Sequence, residues 1–243
     1  PIGEIRLGIY GNEDPMYILA GLPFIAPDYS SAWLLKDVQM EYLQEKFDKK
    51  GLMILYTAPW PGQGFYTKFP VNSVSDFSGK KLRIYSTATQ QMGSMLGFNA
   101  TILPFAEIPQ AFSTGLIEAL FTSPQTGIDI QAWDNTKHFT YAGAIFSKNA
   151  VVVTKKAFNA LSKGDQSNML AAAKKAELRG WEMSAETTKK QIDILKKNGM
   201  SSKNAPDEVI SKMKSIGLEM MKNWRSKASP EANAVLDRYL SMR

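Results

Sequence analysis

The stretch Gly79–Gly127 reads GKKLRIYSTATQQMGSMLGFNATILPFAEIPQAFSTGLIEALFTSPQTG and carries the pattern on which the fold prediction depends. Short β-prone segments alternate in it with runs of helical composition. Strands are predicted at 82–85, 99–103 and 120–123, and helices at 90–96 and 105–116. Strands that alternate with helices of about a dozen residues indicate βαβ units and a parallel sheet.

Arg83 lies inside the first of these predicted strands. A buried, unpaired cation is costly, so either a structural carboxylate or an anionic ligand must meet its guanidinium. The residue lies at the carboxyl end of a strand that leads into a βα loop, where open α/β sheets bind ligands. A guanidinium matches a carboxylate with two parallel hydrogen bonds, which a lysine cannot do. Arg83 is therefore a candidate anchor for an acidic ligand.

The composition is that of an ordinary globular protein. The 243 residues suffice for one large domain or two small ones, and 44% are hydrophobic and 21% charged. The net charge of +6 would permit nucleic-acid binding, but most lysines lie in the last third among helical residues, which favours solvated helix faces. No nucleic-acid partner is therefore predicted. Because no apolar run approaches the roughly 18 residues needed to span a bilayer, no membrane insertion is predicted either.

The chain offers little for catalysis. It has one histidine, His138, and no cysteine. These counts exclude a thiolate nucleophile, a disulfide, a zinc site and a Cys–His pair, and a Ser–His–Asp triad would depend on His138 alone. Gly62-Gln63-Gly64 lacks the third glycine of a nucleotide-binding loop and does not open a helix. We predict no catalytic residue, no metal site and no cofactor.

Outward from the central stretch, the chain divides into a mixed part and a helical part. Before Lys155, further strands are predicted at 2–10, 52–56, 65–69, 139–146 and 150–154, with helices from Ser30 or Ser31 to Phe47 and at 129–137. After Lys155 no strand is predicted. One helix of about thirty residues, 166–197, would span about 45 Å. Helices at 208–225 and 230–242 follow an extended link at 200–205.

Aromatic residues are frequent in the segments predicted to be loops or strand ends. They are Trp60, Phe65, Tyr66, Tyr85, Trp133 and Phe146. Single aromatic residues are more often part of a core than of a pocket. Together with Arg83, however, this group fits a mostly apolar pocket with one cationic anchor.

Several motifs resemble those of the solute-binding proteins of TRAP transporters, of the DctP type. The segment Asp76–Arg83, DFSGKKLR, is similar to the family signature D-L-x-G-x-K-[IM]-R. Gly97–Ala119 is similar to the family pattern L-G-A-x-P-x-x-x-P-x-x-E-[VI]-x-x-A-L-x-x-G-x-[VI]-D-G, and Leu22-Pro23-Phe24 matches a family L-P-F. The helix 166–197 matches the family's long lobe-spanning helix, so the resemblance covers essentially the whole chain.

The resemblance implies an α/β protein with a two-lobe periplasmic-binding-protein-like fold, a central cleft and a long lobe-spanning helix. It implies a periplasmic protein that captures a small organic acid and delivers it to the membrane permease subunits of a TRAP transporter. One lobe would comprise 1–60 and 149–188, and the other 61–148 and 189–243. Because the family pattern begins before Pro1, we also expect that further elements precede this sequence.

The family arginine that grips the ligand carboxylate falls on Arg83. A second family arginine would fall near Gln63, which can still form hydrogen bonds, and a family asparagine is replaced near Thr122 and Ser123. A single arginine to bind a carboxylate, together with the many tryptophan and phenylalanine residues, favours a monocarboxylate with an apolar or aromatic body. The predicted ligand-binding residues are Arg83, Gln63, Phe65, Tyr85, Thr122, Ser123, Trp60, Phe146 and Asn12. Two alternatives on the same fold are a carboxylate-transforming enzyme and the ligand-sensing domain of a regulator.

Overall fold

The computed structural model describes residues 2–243, which form nine strands and eight α-helices joined by loops and short 3-10 turns. The strands are β1 (Ile2–Arg6), β2 (Leu52–Pro59), β3 (Gly64–Thr67), β4 (Lys81–Ile84), β5 (Asn99–Ile102), β6 (Ala119–Thr122), β7 (His138–Tyr141), β8 (Lys148–Thr154) and β9 (Ser201–Asn204). The helices are α1 (Tyr29–Asp48), α2 (Thr87–Met95), α3 (Ile108–Ser113), α4 (Pro124–Asp129), α5 (Lys155–Asn159), α6 (Lys163–Lys197), α7 (Asp207–Lys227) and α8 (Pro230–Met242).

The strands form two separate sheets. The smaller sheet has the order β1-β8-β2, with both pairs antiparallel. The larger sheet has the order β5-β4-β6-β3-β7-β9. Strand β4 is parallel to both β5 and β6, which confirms the βαβ units predicted in the central stretch. The sheet as a whole is mixed, because β3 runs antiparallel to β6 and β7.

Two local predictions are wrong, and the strands predicted at 2–10 and 139–146 are shorter than expected, at 2–6 and 138–141. The segment predicted as an extended link pairs in parallel with β7 and becomes the edge strand β9, so a strand does follow Lys155. A helix over 129–137 does not form either, because Ser123 caps the earlier helix α4 and the left-handed backbone of Gln131 (φ 48°) separates α4 from a 3-10 turn. Strand β7, which pairs with β9, is distant from it in sequence, so the composition of residues 201–204 did not indicate a strand.

Helix α1 begins two or three residues earlier than its serines suggested. Asp28, rather than Ser30 or Ser31, is the N-cap, and its carboxylate accepts the Ser31 N–H at 2.7 Å. The C-terminal helices follow the prediction closely, with Ser229 capping α8 and Pro230 in its first turn.

The 35-residue helix α6 contacts both sheets, since it packs against β2 of the smaller sheet and β9 of the larger one. Glu177 in α6 accepts hydrogen bonds from the backbone N–H and the hydroxyl of Thr57 in β2, at 2.9 and 2.7 Å. Trp181, one turn later, donates its indole N–H to the same hydroxyl at 3.3 Å. The single long helix is therefore fixed to β2 by buried polar contacts.

Helix α7 packs against α2, and α8 packs against α1. The residue ranges predicted for the two lobes, 1–60 with 149–188 and 61–148 with 189–243, remain a prediction. None of the helices in residues 2–243 has the length and apolarity that a membrane span requires.

Candidate functional site

A cavity of about 80 Å³ is lined by residues from both sheets, and most of the predicted ligand-binding residues lie in its wall. The predicted residues in its wall are Trp60, Gln63, Arg83, Tyr85, Thr122 and Ser123. The wall also contains four residues that the sequence did not single out, namely Arg6, Phe105, Thr126 and Ser147. Strands of both sheets and the segments that join them thus meet at one site.

Arg83 is the most buried charge in this wall, with 2% of its surface exposed. Its Nε and Nη2 donate to the carbonyl oxygen of Leu103, at 3.1 and 3.0 Å. Leu103 is itself held beside β4, because its N–H donates to the Ile84 carbonyl. No carboxylate in residues 2–243 lies within 4.0 Å of the guanidinium. The structural ion pair that could have explained Arg83 is therefore absent from the described residues.

The electrostatics around Arg83 disfavour its charge but do not remove it. Burial, followed by the positive charge of Arg6, lowers the pKa of Arg83 to about 10. The group is still cationic at neutral pH. An anion in the cavity would stabilise the charged guanidinium and so offset both the burial and the repulsion from Arg6.

Gln63 and Tyr85 form a fixed polar pair in the floor of the cavity. The Tyr85 hydroxyl donates to Gln63 Oε1 at 2.6 Å, and Gln63 Nε2 donates to the Ser147 hydroxyl at 3.0 Å. Burial raises the pKa of Tyr85 to about 12, so the phenol stays protonated at neutral pH. The amide of Gln63 is thus already engaged by protein groups, which orient it.

Arg6 is a second cation in the wall that sequence reasoning missed. It ends β1, and its guanidinium carbon lies 5.5 Å from the centroid of the Tyr85 ring. Its Nε is buried without a hydrogen-bond partner in residues 2–243. The signal was available, because Arg6, like Arg83, is an arginine inside an otherwise β-prone segment.

Hydroxyl groups also line the cavity, where β6 passes into α4. The Ser123 hydroxyl accepts the Thr126 N–H at 3.2 Å and lies 3.0 Å from the Thr126 hydroxyl. Thr122 ends β6 beside Gly64 of β3. Trp60 closes one side and donates its indole N–H to Asn149 at 3.1 Å. No aspartate, glutamate or histidine lines this cavity among the described residues.

Three predicted residues do not line the cavity. Phe65 is fully buried in an aromatic cluster, with the ring of Phe121 at 4.8 Å. Phe146 is buried against Tyr29, with ring centroids 4.8 Å apart. Asn12 lies in a different surface concavity. Phe65 and Phe146 serve core packing because apolar aromatic rings are stabilised most by complete burial.

Two other features carry less functional information. A larger concavity of about 520 Å³ lies between the segment 23–27 and helices α7 and α8, and its lining is mostly apolar, with Lys214 and Arg243 as its charged residues. His138 begins β7 away from the cavity, and burial lowers its pKa. Residues 2–243 contain no cluster of three or more acidic or histidine side chains arranged to hold a metal ion.

Comparison with known proteins identifies the family. A family model described as DctP, bacterial extracellular solute-binding protein, family 7, matches residues 2–227. A Haemophilus influenzae protein of uncharacterized function is 23% identical over 203 residues, and a solute-binding protein of Chromohalobacter salexigens is 24% identical over 198 residues. These matches cover 81% and 78% of this chain, which spans 62% and 58% of the lengths of these two relatives.

Solved structures give a closer likeness. DctP7 of Bordetella pertussis, an extracytoplasmic solute receptor binding pyroglutamic acid, is 37% identical with a TM-score of 0.95, over 98% of this chain and 79% of that one. A marine metagenome TRAP solute-binding protein in complex with pyroglutamate is 32% identical with a TM-score of 0.93, over 99% of this chain and 79% of that one. These likenesses confirm the two-lobe periplasmic-binding fold.

The family and these neighbours are extracytoplasmic substrate-binding receptors of transporters, not enzymes. From the family match, the superpositions and the motifs around Arg83 together, we conclude that the chain belongs to the DctP family of bacterial extracellular solute-binding proteins, family 7.

Proposed function

We propose that this protein captures a small monocarboxylate between its two lobes, with pyroglutamate as the first compound to test, and delivers it to the permease subunits of a TRAP transporter. The observation that carries the proposal is the guanidinium of Arg83, which is almost fully buried and has no carboxylate partner in residues 2–243. The pyroglutamate complexes of relatives that are 37% and 32% identical support the choice of ligand.

The hydrogen bonds of Arg83 leave suitable donors for a carboxylate. The Leu103 carbonyl occupies Nε and one N–H of Nη2, so both N–H bonds of Nη1 and the second of Nη2 are free of that contact. Because Leu103 holds the guanidinium plane, the side chain loses little additional freedom when a ligand binds. Charge-assisted hydrogen bonds from these donors would contribute about 1.5–3 kcal/mol each.

The remaining wall fits a compact, polar ring better than a large aromatic body. The cavity is about 80 Å³ in volume, and hydroxyl and amide groups occupy its floor and one wall. Two of the aromatic residues expected to form an apolar pocket, Phe65 and Phe146, are committed to the core. We therefore narrow the proposed ligand class to small monocarboxylates that carry further hydrogen-bonding atoms.

The site is suited to binding rather than turnover. Arg83 stays cationic and Tyr85 stays neutral at physiological pH, since their pKa values are about 10 and about 12. Neither group can exchange a proton efficiently near neutral pH. A bound acid is therefore expected to leave the site unchanged, as delivery to a permease requires.

Closure of the lobes would transmit the presence of ligand. The cavity is bounded by β1 of the smaller sheet and by β4 and β6 of the larger one. The segments 60–63 and 142–147 pass between these sheets beside the cavity. A ligand that touches both sheets would stabilise the closed arrangement, in the manner of hinged binding proteins.

Isothermal titration calorimetry tests the carboxylate anchor. We expect wild type to bind pyroglutamate and Arg83→Ala to bind it at least about 100-fold more weakly, because more than one charge-assisted hydrogen bond is lost. Arg83→Lys keeps the charge but cannot form two parallel hydrogen bonds, so it should not restore full affinity. Arg179→Ala, at an exposed position on α6, is the matched control. Equal affinities of wild type and Arg83→Ala would refute the proposed anchor.

A transport assay tests delivery. Vesicles that contain the cognate permease subunits should accumulate labelled pyroglutamate only when wild-type protein is added. Arg83→Ala should support no uptake at ligand concentrations near the wild-type dissociation constant. Uptake at the same rate without the binding protein would contradict the proposed role.

A further inference from the structure

We infer that Arg6 is a specificity-determining residue that donates to a second acceptor oxygen of the ligand, distinct from the carboxylate held by Arg83. The inference rests on the proposed function and adds to it a chemical requirement. An acid that carries a carbonyl oxygen away from its carboxylate would be preferred over the same ring without that oxygen.

The first support is the unused donor of Arg6. The side chain lines the cavity, and its buried Nε has no hydrogen-bond partner in residues 2–243. A buried donor without a partner costs about 1–3 kcal/mol, and more when the group is charged. Native structures rarely keep such a group unless water or a ligand satisfies it.

The second support is the absence of a competing carboxylate. Glu4 lies on the same face of β1, two residues earlier, but its Oε1 accepts a hydrogen bond from Asn149 at 2.7 Å. No carboxylate in the described part of the chain lies within 4.0 Å of the Arg6 guanidinium. The cation is instead placed over the ring of Tyr85, 5.5 Å from its centroid. That contact stabilises the charge and leaves the N–H groups free to donate.

The third support is that the two arginines belong to different sheets. Arg6 ends β1 in the smaller sheet, whereas Arg83 lies in β4 of the larger sheet. Both side chains reach one cavity of about 80 Å³. A ligand with acceptors at two ends can therefore bond to both sheets at once. In pyroglutamate the second acceptor is the ring carbonyl.

A second void near Arg6 gives the main competing explanation, which is a water molecule bound to the guanidinium. A void of about 30 Å³ adjoins the cavity and shares Arg6, Tyr85 and Ser147 with it. This volume has room for a single water molecule, which could satisfy Nε without any contribution to specificity. The experiment must therefore distinguish ligand recognition from hydration of a structural arginine.

A set of matched acids makes that distinction by calorimetry. Pyroglutamate carries the ring carbonyl and a ring N–H, 5-oxotetrahydrofuran-2-carboxylate keeps the carbonyl and lacks the N–H, and tetrahydrofuran-2-carboxylate lacks both. We expect Arg6→Leu to weaken binding of the two carbonyl acids by about 10- to 100-fold, because one charge-assisted hydrogen bond is lost. Its affinity for tetrahydrofuran-2-carboxylate should change by less than about threefold. Arg6→Leu should therefore lose most of the selectivity for the carbonyl acids that wild type shows.

Other outcomes overturn the inference. If Arg6→Leu weakens all three acids equally, Arg6 acts on the carboxylate or on the fold, and if it weakens none, water satisfies the guanidinium. Arg6→Lys, which keeps the charge, should retain part of the selectivity and provides the test if Arg6→Leu does not fold. Arg179→Leu is the control for loss of a surface arginine. Failure of wild type to bind any of the acids refutes the proposed function itself, whereas an equal loss on all three refutes only the role of Arg6.

Discussion

Replacement of Lys148 by methionine should stabilise the protein at neutral and acidic pH. Lys148 begins β8 and is 5% exposed. Its Nζ donates to Gln39 Oε1 at 2.7 Å, but no carboxylate in residues 2–243 lies within 4.0 Å of it. Burial, followed by repulsion from Lys36, lowers the pKa of Lys148 to about 7. Methionine is an unbranched side chain one atom shorter than lysine, and it carries no charge to desolvate.

The sign of the effect follows from proton binding. An unfolded chain keeps the Lys148 proton up to about pH 10.4, whereas the folded protein releases it near pH 7. Between these values the unfolded state binds more protons, so the stability of wild type rises with pH. Below pH 7 both states are protonated, and the full cost of burying the ammonium is present. The methionine variant lacks this dependence.

The magnitude follows from the size of the pKa shift. Each pH unit between the two pKa values changes the free energy of unfolding by about 1.36 kcal/mol. From pH 6.5 to pH 9.5 the advantage of Lys148→Met should therefore shrink by about 3 kcal/mol. The loss of the hydrogen bond to Gln39 costs about 1–3 kcal/mol and reduces the advantage of methionine at both pH values. The change in the difference between the two proteins isolates the buried charge.

The assay is urea unfolding of wild type and Lys148→Met at pH 6.5 and pH 9.5, analysed for the free energy of unfolding in water. Lys174→Met, at an exposed position on α6, controls for the loss of a positive charge. A difference between wild type and Lys148→Met that stays constant, or that grows in favour of methionine at high pH, would refute the reasoning.

Three further substitutions test the helix packing and the polar contacts of the site. Gly217→Ala should lower the free energy of unfolding by about 1–3 kcal/mol, because its new methyl group would meet the carbonyl of Pro23. At Gly180 a methyl group meets nothing within 4 Å, so Gly180→Ala should stabilise α6 by about 1 kcal/mol. Equal thermal midpoints for the two variants would contradict this. Tyr85→Phe removes the donor to Gln63 Oε1 and leaves a buried acceptor, so the affinity for ligand should fall about 5- to 100-fold by calorimetry, and unchanged affinity would show that the phenol does not orient the site.

Local patterns predicted much of the framework. The strands and helices around β4, β5 and β6 follow from alternation of short apolar segments with helical runs, and the parallel pairing of these strands follows from the length of the connections. The end of the predicted helix 90–96, directly before Gly97, and the start of the predicted helix 230–242, directly after Ser229, depend on neighbouring residues only, which is why composition sufficed for them.

Partners distant in sequence explain the failures. Strand β9 exists because β7 offers it backbone hydrogen bonds across the sheet, and nothing within its own four residues indicates a strand. Phe65 and Phe146 looked like pocket residues by their position beside loops, but the core rather than the cleft receives their rings. Whether a side chain points into the core or into the cleft depends on which elements surround its strand, and a single sequence does not show those elements.

The sequence by itself determined that this chain is an α/β solute-binding protein and predicted Arg83 as an anchor for an acidic ligand, because the motif that carries Arg83 and the elements around it are continuous in the chain. Only the tertiary structure decided the rest of the site. It brought Arg6 beside Arg83, oriented Gln63 between Tyr85 and Ser147, and left both guanidiniums without a carboxylate partner in residues 2–243. The charge balance of a cleft depends on which strands meet across it, and that meeting is a property of the folded chain.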